Sequence, residues 1–303
     1  MSDPSSPVRP TDQESVDSLA EAERLLLNGE PRRAAEAARR ARMFARRHDD
    51  DGGEARALML LGQALAQAGD HKPAVEALVE ARAKWAGLPD QRHEAEALIA
   101  LAELSPDEAT ADSYLDSARR LARAAGVVRL EGDALLAWGE RAAARGDEDI
   151  ALERLSEARE RFERSESVLR LGLTLSRLAN LEARLGHADR AHEALETAIG
   201  LFEDSGDLLD EADARRQLGR LLAGMGDRDG ARDALSAAVR RFAAGGDLEG
   251  EGACLLDLGR LEAKAAPGQA GRHLRHAAEL FRRAGNAALG AEAQKAMALL
   301  PAE

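Results

Sequence analysis

The stretch LSRLANLEARLGHADRAHEALETAIGLF, residues 175–202, predicts one α-helix, a turn at Gly186 and a second α-helix. Leu175 and Leu178 are three residues apart and therefore lie on one face of the first helix. Gly186 fits the end of that helix, where the backbone turns left-handed at least cost for glycine. The same pattern recurs along nearly the whole chain, so this hairpin is the unit from which the protein is built.

The repeat becomes visible when the sequence is aligned on a small residue that follows Leu or Trp, which we call the anchor. The six anchors are Gly62, Ala102, Gly139, Ala179, Gly219 and Gly259. Consecutive anchors are separated by 40, 37, 40, 40 and 40 residues. A period in this range is typical of a solenoid, in which each repeat buries its apolar face on its neighbours.

Other columns of the alignment have the composition of packing positions. Glycines stand seven residues after four of the anchors, and Asp70, Asp147 and Asp227 follow three of these glycines, where they can cap the next helix. A column of alanine in the second helix indicates close helix contact. Five of the eight aromatic residues fall in one further column, which predicts that they belong to the core: Trp85, Phe162, Phe202, Phe242 and Phe281.

The succession of Leu-Gly, Gly-Asp, Ala, Ala and Phe resembles the tetratricopeptide repeat (TPR) family, whose pattern is W-x₂-L-G-x₂-Y…A-x₃-F…P over about 34 residues. The spacing of 40 looks more like the longer variant of kinesin light chains, Pins-type adaptors and bacterial regulators. The resemblance covers about residues 16–285. It implies an all-α, right-handed superhelical solenoid of about seven helix hairpins plus a C-terminal capping helix.

The chain is accordingly divided into three parts. Residues 1–15 are rich in Ser and Pro and are predicted to be disordered. Residues 287–300 are predicted to form the capping helix. In the third repeat, Pro106 is expected in the first turn of a helix, after an irregular turn. The array spans residues 16–286, with repeats near 16–48, 54–88, 94–126, 131–165, 171–205, 211–245 and 251–285.

Composition limits the cellular context. The chain has 303 residues, a net charge of −13 and one cysteine, which excludes an intramolecular disulfide framework. No apolar run is long enough to cross a membrane, and the N-terminal sequence lacks a signal-peptide core. We therefore predict a cytoplasmic protein without membrane insertion. The preference for Arg over Lys is typical of a GC-rich bacterial genome.

Catalytic and cofactor motifs are missing from the sequence. His273 and His276 are three residues apart, but no third metal ligand stands at the next turn, so a solvated helix face is favoured. Cys254 occupies a column of small packed residues. The net negative charge disfavours direct binding of nucleic acid. We predict that the protein is not an enzyme and carries no cofactor or metal.

The resemblance implies that the first helix of each repeat lines a concave, ligand-facing groove. The corresponding columns in the first half are apolar with an acidic rim, and the apolar members are Met59, Ile99 and Leu136. In the second half the columns are rich in basic and amide side chains: Ser176, Arg177, Asn180, Arg184, Arg216, Gln217, Arg220, Arg260 and Lys264. Asp213 and Asp257 are the acidic residues among them.

Two functional hypotheses follow. The first is a non-catalytic scaffold or adaptor that binds a peptide or protein segment in the groove. The alternative is a regulatory sensor in which a small peptide changes the superhelix and releases an effector. Guanidinium groups form bidentate pairs with carboxylates and phosphates. The basic columns in the second half of the chain therefore predict an acidic or carboxylate-terminated segment as partner. The opposing interpretation is that these arginines are exposed and are balanced by Asp213 and Asp257.

Overall fold

The computed structural model describes residues 10–301. These residues form fifteen α-helices and no β-strand, as the all-α prediction requires. The helices are α1 Pro10–Leu27, α2 Pro31–Arg47, α3 Asp51–Gln67, α4 His71–Ala86, α5 Gln91–Leu104, α6 Glu108–Ala124, α7 Val128–Arg145, α8 Glu148–Arg164, α9 Val168–Arg184, α10 Ala188–Ser205, α11 Leu208–Met225, α12 Arg228–Gly245, α13 Leu248–Glu262, α14 Pro267–Ala284 and α15 Ala287–Ala298.

The helices α1 to α14 form seven pairs, the number that the repeat predicts, and α15 follows the last pair. We call the odd-numbered member of each pair the first helix and the even-numbered member the second helix. Within a pair the turn is tight: Gly186 has a φ of +82°, and its N–H donates to the carbonyl oxygen of Ala183 at 3.1 Å. The left-handed glycine thus ends α9 and lets α10 fold back on it.

The caps predicted after these glycines form only in part. The Asp227 carboxylate accepts a hydrogen bond from the Gly230 N–H at 3.0 Å and caps α12. Asp70 and Asp147 occupy the same position before α4 and α8, but neither side chain caps its helix. The Asp147 carboxylate instead accepts a hydrogen bond from Arg145, which competes with capping.

Close approach of the paired helices explains the glycines of the anchor column, in which alanine stands at Ala102 and Ala179. A Cβ added to Gly219 would lie 2.6 Å from the Leu235 Cγ, and one added to Gly62 would lie equally close to the Leu78 Cγ. Only glycine leaves room for these leucines at this helix separation. The aromatic column is buried as predicted; Phe162, Phe202 and Phe281 are among the largest fully buried side chains.

The described part of the chain comprises two compact units, residues 10–138 and 139–301, with the boundary inside α7. In the first unit, α1 to α5 share a core built around Leu58, Leu78 and Trp85. In the second unit, Leu195 and Phe202 belong to a core of α9 to α12, and α12 to α15 bury a further apolar cluster. Each unit thus has its own apolar interior.

Two features differ from the sequence-based prediction. Helix α1 begins at Pro10, so residues 10–15 of the predicted disordered segment are helical, while residues 1–9 lie outside the described part of the chain. Helix α6 begins at Glu108, because the Asp107 carboxylate accepts a hydrogen bond from the Thr110 N–H at 2.8 Å and caps it. Pro106 therefore precedes the cap and is not in the first turn of α6.

Buried carboxylates form a recurring element that the sequence analysis missed. Glu54, Glu131 and Glu211 stand eight residues before their anchors and are almost completely buried. Each is paired with basic side chains of an adjoining second helix, as in the bond from Arg241 Nε to Glu211 at 2.8 Å. Because a buried charge without a partner is strongly unfavourable, these pairs help to fix which helices adjoin.

None of the helices within residues 10–301 has the length and apolar character needed to cross a bilayer.

Candidate partner-binding surface

The apolar residues predicted for the groove are mostly part of the core. Met59 is 8% exposed, Leu136 is 4% exposed, and Ser176, in the same column of the second unit, is 3% exposed. Ile99 is partly buried against a neighbouring apolar cluster. First helices such as α3 contact helices on several sides, so a position three residues before the anchor is covered by a neighbour. These residues therefore do not form an open groove wall.

The predicted basic residues lie on first helices of the second unit, except Lys264, which lies in the turn after α13, and most of them already have partners. Arg177 Nε donates to Glu140 at 2.6 Å, and Arg216 Nε donates to Asp257 at 2.8 Å. Arg184 contacts the Glu148 carboxylate and the Ala143 carbonyl oxygen, each at 3.2 Å. The charge of these arginines is thus largely balanced by carboxylates of adjoining helices.

The two amide side chains of the predicted site bind each other. Asn180 Nδ2 donates to Gln217 Oε1 at 2.9 Å, and Gln217 Nε2 donates to Asp213 at 2.7 Å. This chain of hydrogen bonds links α9 to α11. Arg260 pairs with Glu292 of α15. Arg220 and Lys264 are exposed, and neither forms an ion pair with any residue between 10 and 301.

An open pocket of about 610 Å³ lies on the first helices of the first unit, and we call it the apolar pocket. Its polar lining residues are Gln63, Gln67, Glu23 and Glu103. Glu23 also accepts a hydrogen bond from Arg56 at 2.6 Å. The apolar lining comes from α1, α3, α4 and α5: Leu26, Leu27, Leu60, Ala66, Leu78, Ala100 and Leu104.

The most exposed member of this lining is Leu27, which is 89% exposed at the end of α1. A leucine in that position loses contact with water when another molecule covers the pocket, which favours binding of apolar groups. The residues predicted for the apolar wall, Met59 and Ile99, do not line this pocket. The column two residues before the anchor, with Leu60 and Ala100, supplies the wall.

A pocket of about 580 Å³ occupies the corresponding position in the second unit, and we call it the arginine pocket. Arg220, Arg228 and Arg260 line it together with Asp257. The remaining lining residues are small or apolar: Ala223, Gly226, Leu235 and Leu261. This pocket contains two residues of the predicted basic site, Arg220 and Arg260, and one that the sequence analysis missed. Arg228 was missed because it belongs to a second helix.

Beside the arginine pocket is a groove of about 800 Å³ with an excess of carboxylates, the acid-rich groove. Arg216, Arg220 and Arg260 border it, against six acidic residues: Asp210, Asp213, Asp247, Glu249, Asp257 and Glu292. Burial raises the pKa of Asp210, and the charges of Asp207 and Asp213 raise it further. The predicted basic surface of the second unit is therefore interrupted by carboxylates.

The residues considered for chemistry have structural environments. Cys254 is buried, and desolvation raises the pKa of its thiol to about 12, so the nucleophilic thiolate is disfavoured. The His273 Nδ1 lies 3.0 Å from the buried Glu262 carboxylate, which corrects the prediction of a solvated face at this residue. No group of three or more potential metal ligands occurs among residues 10–301.

No family model matches this sequence, and no curated protein matches it. Solved structures match its fold. The Rap protein complexed with Competence and Sporulation Factor is 15% identical, covers 96% of this chain and 98% of that chain, and gives a TM-score of 0.59. Aspartyl phosphate phosphatase F from Bacillus subtilis is 14% identical, with coverage of 89% and 70% and a TM-score of 0.67.

A third structure carries the name of the repeat. It is a signal transduction ATPase with numerous domains and a tetratricopeptide repeat sensor, from Pyrococcus horikoshii. It is 14% identical, covers 92% of this chain and 45% of that chain, and gives a TM-score of 0.60. The fold of this chain is therefore that of TPR-type helical repeats. Its assignment to the longer-repeat variant stays a prediction.

Proposed function

We propose that this protein is a non-catalytic binding module that holds a peptide or protein segment against its first helices. The proposal rests on the apolar pocket. This pocket is open, and its lining combines leucines and alanines from four helices with amide and carboxylate side chains. Its volume is in the range of pockets that take a ligand group. The fold supports the same function, because one structural neighbour was solved in complex with Competence and Sporulation Factor.

The expected partner segment inserts at least one large apolar side chain into the apolar pocket. The amide groups of Gln63 and Gln67 are suited to hydrogen bonds with the backbone of an extended segment. The narrower prediction of an acidic or carboxylate-terminated segment has less support, because Arg177, Arg184 and Arg216 are already paired. A cytoplasmic location and the absence of catalysis belong to this proposal.

The proposal is tested with Leu27→Lys, which places a charge at the mouth of the apolar pocket. Met43→Lys is the matched control, since Met43 is 55% exposed in the same unit and does not line the pocket. Peptides are selected from a random phage-displayed library on the wild-type chain, and their affinities are measured by fluorescence anisotropy. Leu27→Lys should weaken binding by about tenfold or more, and Met43→Lys should not. Failure to enrich any peptide, or equal affinities for both variants, contradicts the proposal.

The sensor alternative is favoured by one finding, the tetratricopeptide repeat sensor of the Pyrococcus horikoshii neighbour. A sensor changes conformation when its ligand binds, whereas a scaffold keeps its conformation. Small-angle scattering with and without a selected peptide separates them: an unchanged profile supports the scaffold, and a shifted radius of gyration supports the sensor.

A further inference from the structure

The arginine pocket has a composition that the proposed binding of an apolar segment does not explain. Arg220 on α11 and Arg260 on α13 each stand one residue after an anchor, and Arg228 is the first residue of α12. Three elements therefore direct guanidinium groups to one pocket of about 580 Å³. Its other lining residues are apolar or small except Asp257, so the lining itself offers one carboxylate against three arginines.

The charges lining this pocket do not cancel. The Asp257 carboxylate is occupied by Arg216, which does not line the pocket, at 2.8 Å. Arg228 donates a hydrogen bond at 2.9 Å to the Leu261 carbonyl oxygen, a neutral acceptor that leaves the charge of Arg228 unbalanced. Arg220 has no ion pair within residues 10–301. With Asp257 paired to Arg216 and Arg260 paired to Glu292, Arg220 and Arg228 leave a local excess of two positive charges in a chain of net charge −13.

Acidic side chains near the pocket have other roles. The Asp227 carboxylate caps α12, and Asp229 pairs with Arg232. Glu292 neutralises Arg260 from α15, but the guanidinium group keeps further N–H donors. Asp210 and Glu249 line the acid-rich groove and not the arginine pocket. The positive charge of Arg220 and Arg228 is therefore available to an added anion.

We propose that the arginine pocket binds a phosphate monoester group. Such a group carries a charge of about −1.5 to −2 at pH 7 and presents three acceptor oxygens, which matches the excess charge and the guanidinium donors. A single carboxylate would neutralise only half of the excess. The phosphate belongs either to a phosphorylated protein segment or to a small phosphorylated molecule, and the chemistry of recognition is the same.

The site is tested by ³¹P NMR titration with two probes, inorganic phosphate and a short blocked peptide that contains one phosphoserine. The unphosphorylated peptide is the negative control. Arg220→Gln and Arg228→Gln each remove one guanidinium group from the pocket. Arg240→Gln is the matched control, because Arg240 is exposed on α12, the helix of Arg228, and lines neither the arginine pocket nor the acid-rich groove.

We expect Arg220→Gln and Arg228→Gln each to weaken binding of a phosphate-bearing probe by about tenfold, as for loss of a charged hydrogen bond, and Arg240→Gln to leave it unchanged. Tighter binding of the phosphopeptide than of inorganic phosphate identifies a protein segment as the source, and the reverse identifies a small molecule. Binding of neither probe, or equal loss in all three variants, overturns the proposal.

The result is independent of the proposed function. Leu27→Lys alters only the apolar pocket of the first unit and should not change phosphate binding. Loss of peptide binding in Leu27→Lys with intact phosphate binding therefore supports both sites separately.

Discussion

The apolar pocket and the arginine pocket lie at equivalent positions of the repeat in different units. Leu78 and Leu235 form corresponding parts of the two linings, as do Ala66 and Ala223. One residue after the anchors, the apolar pocket has Gln63 and Glu103, whereas the arginine pocket has Arg220 and Arg260. The packing columns therefore set the position of a pocket, and the exposed columns set its chemistry.

The largest expected effect tests whether the packing is equivalent in the two units. Leu78 and Leu235 are each 1% exposed, and both contact an anchor glycine. Leu78→Ala and Leu235→Ala should each lower the free energy of unfolding by about 2–5 kcal/mol, through lost burial and a residual cavity. Urea unfolding followed by circular dichroism measures both. A loss of unfolding free energy below about 1 kcal/mol for only one of the two variants would show that the packing beneath the two pockets is not equivalent.

A smaller effect is expected at the anchors themselves. In Gly62→Ala and Gly219→Ala the new methyl group would meet Leu78 or Leu235, so each should destabilise its unit by about 1–3 kcal/mol through overpacking. Gly200→Ala is the control, because Gly200 lies within α10 with no neighbour near its added Cβ. That change should raise stability, by up to about 1 kcal/mol. Thermal unfolding distinguishes the three, and a stabilising anchor variant would contradict the close-packing account.

The smallest expected effect concerns turns between helix pairs. Asp49 in the first unit and Glu166 in the second have φ values of +54° and +52°, where Gly206 and Gly246 stand in other such turns. Glu166→Gly should stabilise the protein by about 1 kcal/mol by relieving the left-handed strain. Asp49→Gly should gain less, because aspartate tolerates this conformation better. Differential scanning calorimetry gives both changes, and destabilisation by Glu166→Gly would be the contrary result.

Much of the fold could be predicted because its signals are repeated. The anchor, the alanine column and the aromatic column each occur at a fixed period, so an error in one repeat is corrected by the others. The left-handed glycine at Gly186 and the burial of Phe202 follow from the same alignment. A bacterial origin, which rests on composition alone, stays a prediction.

The candidate site was less predictable because it depends on pairs of residues from different repeats. The sequence leaves open whether Asp257 balances the arginines of the predicted site, and only the structure shows that it accepts a hydrogen bond from Arg216, 41 residues earlier in the chain. Met59 and Leu136 looked outward by analogy with the family, but helices on several sides cover them. Arg228 belongs to a second helix, whereas the family resemblance places the groove on first helices, so the sequence does not predict its part in the site.

The polar links between repeats have a consequence for the order in which hairpins assemble. Because the packing columns are nearly the same in every repeat, a hairpin that docked on the wrong neighbour would still bury similar apolar surface. The pairs Arg177 with Glu140, Asn180 with Gln217 and Arg216 with Asp257 differ from one junction to the next. A slip by one repeat would place unmatched polar groups opposite each other. At the junctions that they join, these polar pairs therefore specify which two repeats pack together. They disfavour misassembled and domain-swapped forms of the second unit.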